Sequence, residues 1–166
     1  MRPLVLSIDP GTKCGIAILE FHSGDVVEAF TVKSATKKDT NWGVRANNII
    51  AGFREMCQQY YEDIGTICYE KNHTTSVIVK AIPILFAAEI PEAFMSDKTG
   101  VVPSTWKKLV RDKHPIPMSS CKGCVALDLI APGIVDEFNI DDDAADAVLI
   151  GMAWIKSFKA ILASRG

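Results

Sequence analysis

Four acidic residues stand where plain surface charge explains them poorly. Asp9 closes the apolar run "LVLSID", Glu70 closes "TICYE", and Asp143 and Asp146 fall within "IDDDAADAVLIGMAWI". A spacing of i, i+3 puts Asp143 and Asp146 on one helix face, a turn apart. Asp146 follows two alanines and precedes a nearly unbroken apolar stretch. A carboxylate in such surroundings costs free energy unless a cation meets it. Gathering several carboxylates makes each harder to ionise. Mg²⁺ or Mn²⁺, which prefer hard oxygen ligands, would remove that cost. Two such ions held side by side can activate a water and stabilise the leaving oxygen of a phosphodiester. Singly, each acid has a plainer reading. Asp9 in "DPG" could cap a turn, and Glu70 could be an exposed acid at a strand end. Asp141 and Asp142 suit the N-cap of a final helix, with Asp142 also a candidate outer acid of the cluster. The N-terminus of that helix would help to keep Asp143 ionised.

The elements that must carry these acids can be read from hydrophobic pattern and turn residues. "LVLSID", "GIAILEF" and "VVEAFTV", separated by "PG" and "GD", read as three strands of an antiparallel meander. "NWGVRANNIIAGFREMCQQYYEDIG" has Val44, Ile49, Phe53, Met56 and Tyr60 at roughly helical spacing, with Gly65 as a stop. "TICYE" is a fourth, buried strand. "TTSVIVKAIPILFAAEI" reads as a threonine-capped helix, apolar on almost every side, so it must be covered on more than one face, a second chain being one way. Pro83 should kink or interrupt it. "GVVPSTWKKLV" gives a brief strand and a Ser/Thr-capped basic helix, "SSCKGCVALDLI" a short helix stopped by "APG", and residues 142 to 164 a final helix. If strands one and four are neighbours, Asp9 and Glu70 leave the sheet together, and the last helix need only lay its first turn across them. Strands that precede and alternate with helices make an α/β protein with a mixed sheet.

The chain of 166 residues suits one domain, 1–166. It opens on no basic leader, and apolar runs such as "AIPILFAAEI" are too short to span a bilayer, which points to an intracellular, cytoplasmic protein without a membrane partner. Five cysteines, of which only Cys121 and Cys124 form a C-x-x-C pair without a second pair to complete a zinc site, read as reduced thiols. Net charge is −2. Residues 98 to 124 nevertheless hold six basic residues (Lys98, Lys107, Lys108, Arg111, Lys113 and Lys122) against the single acid Asp112. That local excess reads either as an anion-binding surface beside an acidic site or as a solvated helix face.

"LSIDPGTKCGIAIL", "ICYEKN" and "DDDAADAVLIG" resemble, in order and spacing, the motifs of RuvC-type Holliday junction resolvases, members of the RNase H-like nuclease superfamily. The resemblance spans nearly the whole chain, and "VVPSTWKKLV" is similar to the P-x-x-W-K segment of phage and related RuvC-like proteins. It implies an RNase H-like fold with a five-stranded central sheet flanked by helices. It also implies a homodimer, two Mg²⁺ or Mn²⁺ ions per site, no nucleotide cofactor, and a bacterial protein or a viral one acting inside its host. Asp9, Glu70, Asp143 and Asp146 match the family's catalytic, metal-binding acids. Lys107 or Lys108 lies where the family places a basic residue near the cut strand, Arg111 continues that basic segment, and Lys122 is similar to a second such lysine. Lys71 and His73, in "EKNH", fall near the position where bacterial members carry an aromatic residue that stacks at the junction crossover. The implied activity is Mg²⁺-dependent hydrolysis of four-way or other branched DNA by paired nicks, giving 5′-phosphate ends.

Three other readings compete. A YqgF-like RNase H-type nuclease, acting on RNA or other branched DNA, would share the first hairpin, but the D-A-A-D-A ending argues against it. A sugar-kinase or actin-like ATPase shares D-x-G-T-x-x-G but needs two lobes, for which the chain is too short. A non-catalytic DNA-binding module would have no use for all four acids.

Overall fold

The computed structural model describes residues 2–34, 41–113 and 122–166; Cys121 and the side chains of Arg111 and Lys113 lie outside the described residues. Strands β1 (Leu4–Asp9), β2 (Lys13–Glu20) and β3 (Val26–Lys33) form the expected meander. After helix α1 (Trp42–Cys57), strand β4 (Ile64–Glu70) pairs with β1 in parallel, as β5 (Gly100–Val101) does with β4. The sheet order is β3-β2-β1-β4-β5. Helix α2 (Val77–Glu89) precedes β5, and helices α3 (Pro103–Lys113), α4 (Gly123–Ile130), α5 (Ile134–Phe138) and α6 (Asp142–Arg165) follow it.

Period-two alternation sorts the strand side chains between two cores. Leu4, Leu6 and Ile8 join Ile49, Phe53, Ile82 and Phe86 of α1 and α2 on one face. Val5 and Cys68 join Trp106, Ala145, Val148 and Leu149 on the other, which α6 covers. Ser7, on the α6 face, donates its hydroxyl to the Ala147 carbonyl at 2.7 Å, a buried bond that pins β1 to α6. The same alternation that directs Val5 and Ser7 toward α6 directs Asp9 there, and Cys68 fixes the same side for Glu70.

Several local expectations change. The buried face of α1 is Ala46, Ile49, Ile50, Phe53 and Cys57, a strict i, i+3/i+4 series. Val44 and Met56 are exposed. The helix ends at Cys57, and Gly65 lies inside β4 rather than stopping a helix. Pro83 neither ends nor splits α2, because Ile78, Ile82 and Phe86 bury on both sides of it and packing holds the turns together. Within this chain α2 buries one face, through Ile78, Ile82 and Phe86, and leaves Val77 at 52% and Ile84 at 65% exposure, open to a second chain. Its N-cap is Ser76 without a side-chain bond, while Thr74 only accepts from the Ser76 N–H. α3 begins at Pro103, whose missing N–H costs nothing in a first turn, and Ser104 and Thr105 lie inside that turn rather than before it. Among the described residues, α6 alone is long and apolar enough to cross a bilayer, contrary to the expectation that no run is. Its apolar residues from Ala144 to Ile155 are instead spent on the sheet. Cys14, Cys57, Cys68 and Cys124 are free thiols.

Candidate active site

The β1–β4 register pairs Ile8 with Tyr69, and one step further along both strands come Asp9 and Glu70. The first turn of α6 reaches the same end of the sheet because of Gly15. Gly15 pairs with Asp9 across β1–β2, and a Cβ on it would stand 1.9 Å from the Asp143 carbonyl oxygen. No side chain fits there, so the glycine lets the helix backbone lie directly on the strand that flanks Asp9. Asp141 caps α6 by accepting from the Ala144 N–H at 3.1 Å and also accepts from the Thr31 hydroxyl of β3. Asp142 instead accepts from the Cys124 N–H at 3.0 Å, tying the start of α4 to the start of α6.

Electrostatics show how closely the four acids are gathered. Burial, followed by repulsion from Glu70, Asp146 and Asp143, pushes Asp9 up to about 8. Burial, then Glu70, Asp142 and Asp143, pushes Asp146 up to about 7. Asp143 is also raised, by burial and then by Asp141. Cations oppose these shifts: Lys107 at Asp9 and Asp146, and Lys13 at Asp143. Asp146 Oδ1 is buried without a hydrogen-bond partner, lying beneath Gly123, where a Cβ would come within 2.4 Å of it. A buried oxygen left unpaired is costly, and it marks a place where a partner is expected.

Glu70 is held differently. Trp106 Nε1 donates to Oε2 at 2.7 Å and Asn72 Nδ2 to Oε1 at 2.8 Å. Among the described residues no three His, Cys, Asp or Glu side chains close into a ready-made cage for one ion. The donor set nonetheless fits hard divalent cations: carboxylate oxygens only, mutually repelling, with one buried oxygen unpartnered. Asp9, Glu70, Asp143 and Asp146 are the residues that would hold them.

The basic residues divide. Lys107, half-buried, faces the acids and lies 5.2 Å from the centre of the Trp106 ring. Lys108 and Lys122 are exposed, Lys122 at the N-cap of α4 and so next to Gly123. Lys71 stands 4.0 Å from Asp97, and its backbone N–H bonds to Val101. His73 is exposed on the segment that follows β4. Glu70, Lys71 and Asn72, with Lys80 and Ile84 of α2, line a cavity of about 340 Å³ that Glu70 alone of the four acids reaches. Lys13, Gly15, Asn72 and Trp106 were not singled out from sequence. The P-x-x-W-K segment was the one signal that touched Trp106.

The sheet order, one antiparallel meander continued by two parallel strands with α6 across it, defines an RNase H-like fold. No protein-family model matches the chain, and no curated protein matches it either. Solved structures do match. RuvC of T. thermophilus in complex with a Holliday junction substrate superposes with a TM-score of 0.61 at 13% identity, covering 96% of this chain and 95% of that one. A Thermus thermophilus RuvC structure superposes with a TM-score of 0.59 at 15% identity, covering 96% of each chain. The likeness is one of fold, and it extends over nearly the full length of both proteins.

Proposed function

We propose that the chain is a structure-selective DNA endonuclease that resolves four-way junctions by hydrolysing one phosphodiester in each of two opposing strands. The observation that carries this reading is the convergence of Asp9, Glu70, Asp143 and Asp146 at one end of the sheet, with Asp146 Oδ1 buried and unpartnered. The fold it shares with a RuvC bound to a Holliday junction substrate supports the choice of DNA. Two Mg²⁺ ions, for which Mn²⁺ can substitute, would activate the attacking water and stabilise the leaving oxygen. Asp9, Glu70, Asp143 and Asp146 would hold them. Water adds to phosphorus in line and the P–O3′ bond breaks, leaving a 5′-phosphate and a 3′-hydroxyl. Lys107 offsets negative charge beside the acids, while Lys108, Lys122 and Arg111 hold phosphates by salt-sensitive contacts. Lys71 and His73 meet the strands near the crossover.

Paired cuts require two sites. A two-fold homodimer presents them to a two-fold junction, and the exposed Val77 and Ile84 of α2 offer an apolar face for self-association. We place the protein inside the cell, where recombining or replicating DNA, cellular or viral, supplies the substrate. The test is a Mg²⁺-dependent nuclease panel of a four-way junction, a flap, a duplex and an RNA–DNA hybrid. Preferential cutting of the hybrid would support the YqgF-like reading instead, and junction binding without cutting would support a non-catalytic module.

A further inference from the structure

The two hydrogen bonds to Glu70 are not equivalent. Trp106 is 2% exposed, a member of the core that includes Val101, Val110 and Ala126. Its N–H lies in the plane of a rigid ring, so it cannot turn to another acceptor unless the ring itself moves. A buried donor left unpaired is costly, so the bond to Oε2 persists. Asn72 is exposed and only two residues beyond Glu70, and its amide can exchange Oε1 for water at little cost. One carboxylate oxygen is therefore fixed and the other is free to change partner. The ring that fixes Oε2 also lies beside Lys107 and belongs to α3, the helix that carries Lys108.

We propose that Trp106 is a positioning residue for the cation site: it anchors Glu70 through Oε2, so that Oε1, released by Asn72, is the oxygen that meets the metal. By the same bond it holds the basic helix α3 in register with the acids. This rests on the reading of the acids as a Mg²⁺ site. Donors that orient a metal-ligating carboxylate typically contribute 10–100-fold to metal affinity.

The test is a Mg²⁺ titration of the metal-free, full-length protein with ¹⁵N-labelled tryptophan. The chain has three tryptophans, so Trp42 and Trp154 serve as internal references. The Trp106 Nε1–H resonance should move along the saturation curve measured by calorimetry, while the other two stay in place. Trp106→Phe keeps a ring but loses the donor, and should weaken Mg²⁺ binding by about 10–100-fold. Asn72→Ala should show only a small fraction of that loss. A Trp106 resonance unmoved at saturation, a Trp106→Phe affinity within about twofold of wild type, or an equal loss in Asn72→Ala would each overturn the proposal. If Trp106→Phe fails to fold, the wild-type titration decides alone. Wild-type protein that binds no Mg²⁺ would instead overturn the metal-site reading on which the proposal stands.

Discussion

Replacing Asp146 by asparagine should abolish cleavage and, in the absence of metal, stabilise the protein. Asp146 carries its proton up to about pH 7, where an ordinary aspartate loses it near 3.8. At about 1.4 kcal/mol per pH unit, forcing that carboxyl to ionise in isolation would cost roughly 4 kcal/mol. Glu70, Asp142 and Asp143 share the repulsion, and water reaches part of the group, so we expect about 1–3 kcal/mol to return when the charge is removed. For a chain of this length that is a rise of roughly 2–10 °C in melting temperature. The sign follows from linkage. The folded wild type binds this proton more tightly than the unfolded chain, so its stability falls as pH rises from about 4 through about 7. The gain in Asp146→Asn should therefore be about half its full size at pH 5.5 and full at pH 8.5. Millimolar Mg²⁺ should reverse the ranking by stabilising only the wild type. Melting curves in EDTA and in Mg²⁺ at both pH values, with junction cleavage alongside, make the measurement. A lower melting temperature for the variant in EDTA at pH 8.5, or normal cleavage by it, would refute the reasoning.

Three further outcomes are expected. Gly15→Ala pushes a methyl group into the Asp143 carbonyl, so it should cost about 1–3 kcal/mol by thermal melting and most of the cleavage activity as α6 lifts off β2. Lys107→Gln and Lys108→Gln should each weaken junction binding and flatten the slope of log affinity against log salt by about one, with Lys107→Gln alone also slowing cleavage at saturating DNA. An unchanged slope in both would remove α3 from the DNA surface. Ile84→Glu on the exposed face of α2 should shift the protein from dimer to monomer by light scattering; an unaltered dimer would place the interface elsewhere.

The strands and the acids at their ends were legible because both signals are local. The apolar runs "LVLSID" and "TICYE" mark buried strands, and a strand that stops at an acid places it at the end of the sheet. The D-x-x-D spacing on α6 works in the same way. What could not be read were the contacts that hold those acids in place. Trp106 and Glu70 are 36 residues apart, and nothing in "PSTWKKLV" says that its indole N–H turns inward to a carboxylate. Gly15 looks like one more glycine of a tight hairpin until α6 is laid across it. Pro83 does not interrupt α2 because the cost of a lost helical hydrogen bond is local, whereas the packing of Ile82 and Phe86 that offsets it is tertiary.

The most direct test of the central claim is the cutting of a synthetic four-way junction by purified protein, with Mg²⁺ or EDTA, beside the Asp9→Asn variant. The account predicts Mg²⁺-dependent nicks at symmetric positions in two opposing strands, with 5′-phosphate ends. It also predicts that Asp9→Asn binds the junction but does not cut it. Cleavage that persists in EDTA or in Asp9→Asn, or wild-type protein that leaves the junction intact in Mg²⁺, would contradict it.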